Sequence, residues 1–347
     1  MKRFDYLDIA KGIGILTVVW AHIMLVGASH RLIYAFHMPL FFFISGLLFN
    51  KDKYDSLGAF LKQRFKRLFI PYVVYSLVSW AVWAGFRYLR GDEVDSFFAP
   101  LLQIVLAQGS GEFIVYNSVL WFVPCLFAVE IMYYAFSRFN ERISLSLCFI
   151  VAGIGALLVW KFGKDYLFLL PWNLDAAFFA LPFYGVANAI RRHLSHEKLM
   201  TIVGDNKLLT LVGIVMLFGT MYFFALNFGE CSMGSSSYGC PIWIFFVRAF
   251  SGCFGLVLLS AVICTQFTKG WWYDSLRWCG KNSLDVMCLH IPIKGVVMIL
   301  IAKALHLSFD ISENLMYSTI AFIITTVILV PIVLMIKLMI NKYIRKN

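Results

Sequence analysis

Lys11 and His22 stand 11 residues apart in an apolar stretch that also holds Asp8. On an α-helix that spacing is about 1100° of rotation, about 20° from the same face, over a rise of about 16 Å, and Asp8 falls within about 40° of that face. One stripe therefore presents a carboxylate and an ammonium at one end and an imidazole at the other. Imidazole takes up and returns a proton near neutral pH, and an ammonium holds an anion, so these are parts for moving a proton beside a bound anion. A second imidazole, His37, lies about five residues into the next apolar run, Phe36-His37-Met38-Pro39-Leu40-Phe41-Phe42-Phe43-Ile44-Ser45-Gly46. A tight hairpin between the two runs predicts His22 and His37 at similar depth, facing each other. Pro39 has no N–H and frees the carbonyl of Ala35, which favours a polar, hydrated pocket there. A lone intramembrane His commonly just bonds a neighbouring helix; two at one depth above Lys11 point to catalysis. No Cys or acidic residue stands at ligand spacing to either His, so no metal is expected.

Further along, Lys62-Gln63-Arg64-Phe65-Lys66-Arg67 is ordinarily an anchor facing anionic lipid. Arg64 and Arg67 at i, i+3 share a helical face, however, and together can grip a phosphate. Arg64, Arg67 and Lys11 are the anion-binding candidates. Trp121, at the outer boundary of a later run, offers an aromatic face on which a sugar ring can stack, and with Asn117 it is the candidate for binding an acceptor. Glu130 lies deeper in that run and needs a partner. His290, near the cytoplasmic end of a ninth run, repeats the His-x-Pro pattern with Pro292; Asp8, Glu130 and His290 are taken as supporting residues. Cys231 and Cys240 share one outer loop, as a free pair or as a disulfide worth about 2–3 kcal/mol, and are structural either way.

The elements that must position these groups follow from composition. Of 347 residues, 61% are apolar and 14% charged, where soluble domains carry about 25% charged residues. The apolar residues fall in blocks of about 20, the length that spans a bilayer core. The expected fold is an all-α polytopic membrane protein, one domain over 1–347. Its ten spans are predicted near 6–27, 32–49, 68–86, 118–136, 143–160, 168–190, 208–227, 243–266, 283–303 and 316–340. Segment 97–107 is too short to span and is expected to be re-entrant or interfacial, and the longest loops are 87–117 outside and 50–67 inside.

Of the 30 Lys and Arg, Lys11, Arg248 and Lys294 lie inside spans, and Arg31, Arg87, Arg90, Lys161, Lys164 and Lys303 lie on one side. All the others, from Lys2 and Arg3 to Arg345 and Lys346, lie on the opposite side, which predicts both termini in the cytoplasm. Met1-Lys2-Arg3 ahead of an apolar stretch ending Val26-Gly27-Ala28 has the outline of a signal peptide, but Asp8, Lys11 and His22 do not suit a secretory core. The net charge of +11 is spread over span ends rather than gathered in a patch, so nucleic acid is not an expected partner.

Asp8-Ile9-Ala10-Lys11-Gly12-Ile13 followed by His22 resembles the basic-x10-His signature of the integral-membrane acyltransferase 3 family. The resemblance extends through the His37 run, Arg64-x-x-Arg67 with Pro71-Tyr72, Leu120-Trp121-Phe122-Val123-Pro124, and Gly280-Lys281-Asn282-Ser283-Leu284 ahead of His290. It is nearest to the sugar O-acetyltransferase branch, similar to fucose O-acetylases, and Lys11 departs from it where many members have Arg, which keeps the charge but not a bidentate grip. The resemblance implies about ten helices and acetyl-coenzyme A (acetyl-CoA) as donor substrate, with no tightly bound cofactor. It also implies an envelope glycan or lipid-linked sugar as acceptor, and a location in the bacterial cytoplasmic (inner) membrane, among lipids. It leaves a homo-oligomer open. In that reading His22 is general base or transient acyl carrier, with His37 orienting it or protonating the leaving thiolate, and Arg64, Arg67 and Lys11 are the donor-binding candidates. The competing class is a transporter or flippase with the histidines as a proton relay, which predicts paired broken helices in two inverted halves.

Overall fold

Inside a bilayer no water meets backbone N–H and C=O groups, so the apolar runs must satisfy them within helices. A computed structural model describes residues 4–25, 27–92, 96, 98–108, 114–162, 170–307 and 309–346, the last eight by backbone alone. Lys2, Arg3, Val26, Lys164 and the start of the sixth predicted span lie outside the described residues.

The helices are α1 (Asp5–Ile23), α2 (Ala28–Tyr34), α3 (His37–Leu48), α4 (Leu57–Arg64), α5 (Ile70–Arg90), α6 (Leu102–Leu106), α7 (Phe122–Phe136), α8 (Glu141–Phe162), α9 (Leu174–His193), α10 (His196–Asp205), α11 (Lys207–Asn227), α12 (Ile242–Gln266), α13 (Trp271–Lys281), α14 (Ser283–Ala304) and α15 (Leu315–Lys346). Nine helical stretches among the described residues are long and apolar enough to cross a membrane, and they coincide with nine of the ten predicted spans. The protein is an all-α polytopic membrane protein.

The remaining predicted span, the sixth, is α9. It is 20 residues long but less apolar, because protein rather than lipid surrounds it: it packs on α3, α7 and α8. Its polar groups find partners there. Asn188 Nδ2 donates to Phe49 O at 3.0 Å and Tyr133 Oη donates to Asn188 Oδ1 at 3.0 Å.

Two expectations change. The second span is not one helix, since the chain breaks at Ala35–Phe36 and Pro39 sits in the first turn of α3, where its missing N–H costs little. The stretch 50–67 is not a loop through its length: α4 runs through a π-helical turn, Phe65–Phe69, into α5, a continuous stretch of 34 residues. Within segment 97–107, the short helix α6 (Leu102–Leu106) is held where Tyr72 Oη donates to Gln103 O at 3.2 Å and Trp172 Nε1 to Val105 O at 3.0 Å.

The core sits where α1, α3, α7 and α9 meet, while α5, α8, α11 and α15 turn Val74, Ile150, Val215 and Val327 outward, as lipid contact requires. Amphipathic α13 lies against α1. A Cβ on Gly12 would stand 2.1 Å from Leu276 O, and one on Gly280 1.7 Å from Asp8 O, so only glycine permits this approach.

Candidate active site

A cavity of about 280 Å³ is lined by Val18 and His22 of α1, Tyr34, His37 and Met38 at the α2–α3 break, Trp121, Met287 of α14, and the loop Ser232–Ser235. The break positions His37: as α2 ends and α3 restarts, the imidazole folds back and its Nδ1 donates to Ile33 O at 2.8 Å. A carbonyl only accepts, so Nδ1 carries the hydrogen and Nε2 of the neutral ring presents a lone pair. In α14, His290 Nδ1 likewise donates to Met287 O at 2.7 Å, and its Nε2 is buried without a hydrogen-bond partner.

Tyr34 stands between the two expected histidines, its ring 6.1 Å from His22 and 4.8 Å from His37. The imidazole in ring contact with His22 is His290, at 5.2 Å. His290 therefore shares the depth of His22 rather than lying near the opposite end of its span: α1 ends one residue after His22, and His290 lies eight residues into α14. Lys294, one turn beyond His290, donates from Nζ to His22 O, one of the last carbonyls of α1 and so without an intrahelical partner. On the far side of Tyr34, His30 stacks at 4.1 Å and pairs with Glu230 at 3.0 Å.

Trp121 forms a wall of the cavity, 6% exposed, and is a buried ring rather than a boundary anchor. The opposing loop is latched by Arg248, a fully buried guanidinium that donates to Gly229 O at 3.1 Å and Tyr238 O at 2.6 Å. Asn173 Nδ2 donates to Gly234 O at 3.1 Å and Ser236 donates to Asp175. A Cβ on Gly234 would meet the Trp121 indole at 2.5 Å, so glycine sets the loop's distance from the ring. Within that loop Cys231 and Cys240 are free thiols, not a disulfide. Burial, opposed by Arg248, pushes the Cys231 thiol up to about 12, which leaves little thiolate to start an exchange.

Asn117 does not line the cavity. Its Nδ2 donates to Ser79 Oγ at 2.9 Å and to Cys288 O at 2.7 Å, and Cys288 is the residue whose carbonyl Pro292 frees by lacking an N–H. Asn117 thus holds α5 to α14 and fills the gap that Pro292 leaves, which keeps α14 continuous. The two His-x-Pro motifs differ in consequence: one begins a helix after a break, the other lies within a helix.

The opposite ends of α1, α3 and α9 carry the basic residues. Lys11 pairs with Asp8 at 2.9 Å. Glu130, which needed a partner, has Arg64 at 3.2 Å, and the guanidinium also lies over Phe60 at 5.5 Å. Arg67 is exposed. The π turn between them is wider than an α turn, so the two arginines do not share a face as an α-helical spacing implies. Arg191 and Arg192 of α9 add to this end, and partial burial together with the charges of Arg191, Arg64 and Arg67 pushes the Lys53 ammonium below its usual value. Among the described residues no three His, Cys, Asp or Glu side chains gather as a metal site.

A family model described as an acyltransferase domain, acyltransferase 3, matches residues 4–335. The chain belongs to the acyltransferase 3 family. The match takes in every segment that lines the His22 cavity and the basic end, so both are features of a membrane acyltransferase. No curated protein and no solved structure matches this acyltransferase 3 chain. Sequence reading missed Tyr34, which nothing singled out, and passed over Lys294, Arg248, Arg191 and Arg192. Lys294 and Arg248 did carry a signal, as charges within spans, where a charge is costly.

Proposed function

We propose that this acyltransferase moves the acetyl group of acetyl-CoA to a hydroxyl of an envelope sugar or lipid-linked glycan, in the cytoplasmic membrane with both termini in the cytoplasm. The observation that carries the reading is the His22–His290 ring pair beside a cavity walled by Trp121. His290 Nε2 is an acceptor with no partner. A ring N–H of His22 turned toward it leaves the other His22 nitrogen as a lone pair for the cavity, the state a general base needs.

The acceptor oxygen attacks the acetyl carbonyl carbon and the carbon–sulfur bond breaks. The hydroxyl proton passes to His22 and from there to the coenzyme A thiolate, so ester and thiol leave with no net proton gained. In the covalent variant the His22 nitrogen attacks first, the carbon–sulfur bond breaks, the ring N–H proton leaves with the thiolate as thiol, and the hydroxyl then opens the acetyl-imidazole and returns its proton to the ring. Neutral His37, with its hydrogen committed to Ile33 O, accepts a hydrogen bond and orients, rather than protonating the thiolate. Trp121 supplies the face for a sugar ring. The donor's phosphates meet Arg64 and Arg67, with Lys11 along the stripe. The rise of about 16 Å from Lys11 to His22 suits a pantetheine arm.

The transport reading needs matching broken helices in two halves, whereas α3 follows a break and α14 continues through Pro292. The test is acetyl transfer from labelled acetyl-CoA in inverted vesicles and purified protein, with His22→Ala and His37→Ala, scoring coenzyme A release and labelled protein separately. Release lost in a folded His22→Ala variant supports the reading, and label on the wild-type protein selects the covalent route. Full activity in His22→Ala, or no wild-type release with any envelope acceptor, overturns it.

A further inference from the structure

A second pocket, of about 380 Å³, opens at the basic end, where the chain leaving α3 meets the last turn of α9. It is lined by Phe49, Asn50, Lys51, Asp52, Asn188, Arg191 and Arg192. Three cations face one carboxylate, Asp52. Two helices end here, and their last carbonyls attract positive charge; Asn188 donates to Gly46 O at 3.2 Å and Phe49 O at 3.0 Å, and Arg191 also donates to Phe49 O. That capping accounts for one guanidinium. It does not account for Arg192, whose Nε donates to Asn188 Oδ1 at 3.2 Å, nor for the remaining donors of two guanidiniums that have five each.

The pocket and the π-turn arginines form one field. Phe49, a wall of the pocket, is 6.4 Å from Phe60, and Arg64 lies over Phe60 at 5.5 Å. The Lys53 ammonium is disfavoured by the charges of Arg191, Arg64 and Arg67 together. Among the described residues Glu130 neutralises Arg64, so the cations around Lys53 outnumber the anions. Excess positive charge in a concave pocket beside a separate basic site fits a ligand bearing two phosphate groups a sugar apart.

We infer that Arg191, Arg192 and Lys51 form a phosphate-monoester site, distinct from Arg64 and Arg67, which takes the 3′-phosphate on the ribose of the nucleotide donor. This rests on the acetyl-CoA reading above. The same dianion chemistry occurs in a lipid headgroup, but the pocket is lined by the turn after α3 and the end of α9 rather than by the outward-facing helices α5, α8, α11 and α15, which favours the nucleotide.

The experiment compares acetyl-CoA with acetyl-dephospho-CoA, which lacks only the 3′-phosphate, as donors for purified protein in vesicles with and without phosphatidylglycerol. The wild type is expected to prefer acetyl-CoA in kcat/KM by about 30- to 100-fold, the scale of two charge-assisted hydrogen bonds. In Arg192→Gln and in Arg191→Gln the ratio of the two donors should collapse toward one through a higher KM for acetyl-CoA. Arg191→Lys, which keeps a donor for Phe49 O, guards against loss of the helix cap and should retain an intermediate ratio. A wild type indifferent to the 3′-phosphate overturns the inference while leaving acetyl-CoA as donor. So do variants that lose activity equally with both donors, or a loss that follows phosphatidylglycerol content instead of donor. If neither donor turns over, the function reading fails separately. Calorimetry with adenosine 3′,5′-bisphosphate then decides the pocket: binding that Arg192→Gln abolishes upholds it, and no binding overturns it.

Discussion

His22 and His290 meet ring to ring at 5.2 Å, brought together from the first and the penultimate membrane-spanning helices. His290 Nδ1 is committed to Met287 O, so its Nε2, buried without a partner, is the acceptor toward which a His22 N–H turns in the proposed mechanism. His22→Ala is expected to lower kcat by about 10³-fold or more, within the range by which a positioned base accelerates transfer. His290→Ala is expected to lower kcat by about 10- to 100-fold with KM for both substrates little changed, the pattern of an interaction that matters in the transition state. Steady-state coenzyme A release measures both, and a His290→Ala enzyme with wild-type kcat refutes the orienting role.

Lys294 holds the last turn of α1 through His22 O. Lys294→Met removes the donor from a carbonyl that has no intrahelical partner, a loss of about 1–3 kcal/mol, and releases the residue whose imidazole is proposed to act as base. The expected result is a lower Tm in detergent and kcat reduced about 10-fold, with Lys294→Arg, which keeps a donor, recovering part of both. A Lys294→Met protein as active and stable as wild type would contradict this.

Arg64 and Glu130 separate folding from donor binding. Arg64→Met strands the buried Glu130 carboxylate and should cost about 3–5 kcal/mol of stability. Adding Glu130→Met removes the stranded charge and should restore the Tm but not the KM for acetyl-CoA. Thermal melts beside donor titrations read the two effects independently. Recovery of KM in the double variant would show that Arg64 serves structure alone.

His196, at the start of α10, couples the N-terminal segment to pH. Phe4 stacks on its ring at 3.6 Å, and Tyr6 shares a hydrogen bond with Nδ1. Burial first, then the charge of Arg191, push its pKa down from 6.5 to about 4. The folded state thus favours the neutral ring, and the stability it supplies is fully present above pH 6.5 and is lost as pH falls from there through about 4. Protection factors of the amides at residues 4–7, which divide out the intrinsic pH dependence of exchange, should fall over that window in wild type and stay flat with pH in His196→Phe.

Gly234 sets the width of the cavity. With a Cβ expected 2.5 Å from the Trp121 indole, Gly234→Ala must displace the loop or the ring, a strain of about 1–3 kcal/mol. KM for the acceptor should rise several-fold while KM for acetyl-CoA holds. An unchanged acceptor KM would mean that the Ser232–Ser235 loop does not contact the acceptor.

Nine of the ten predicted spans were legible because each depends on a local quantity: about 20 apolar residues in a row span a bilayer whatever they pack against. The same holds for His22 and His37 as residues to watch, since a titratable group in a span stands out without any fold. Where local rules failed, a neighbour was responsible. α9 is less apolar because protein shields it; Arg64 and Arg67 part because a π turn intervenes; Asn117 leaves the cavity for a carbonyl that Pro292 frees on another helix.

Sequence alone determined that this chain crosses a membrane many times with imidazoles in its first two spans, and its motifs resembled those of the acyltransferase 3 family, which the family match then established. Only the tertiary structure decided that His290 is the ring beside His22, that Glu130 answers Arg64, and that Arg191 and Arg192 join the basic end. Each of those relationships joins helices far apart in the chain, and it depends on helix phase, on where helices break, and on which glycines let backbones approach. Residue spacing within one segment carries no information about those three things.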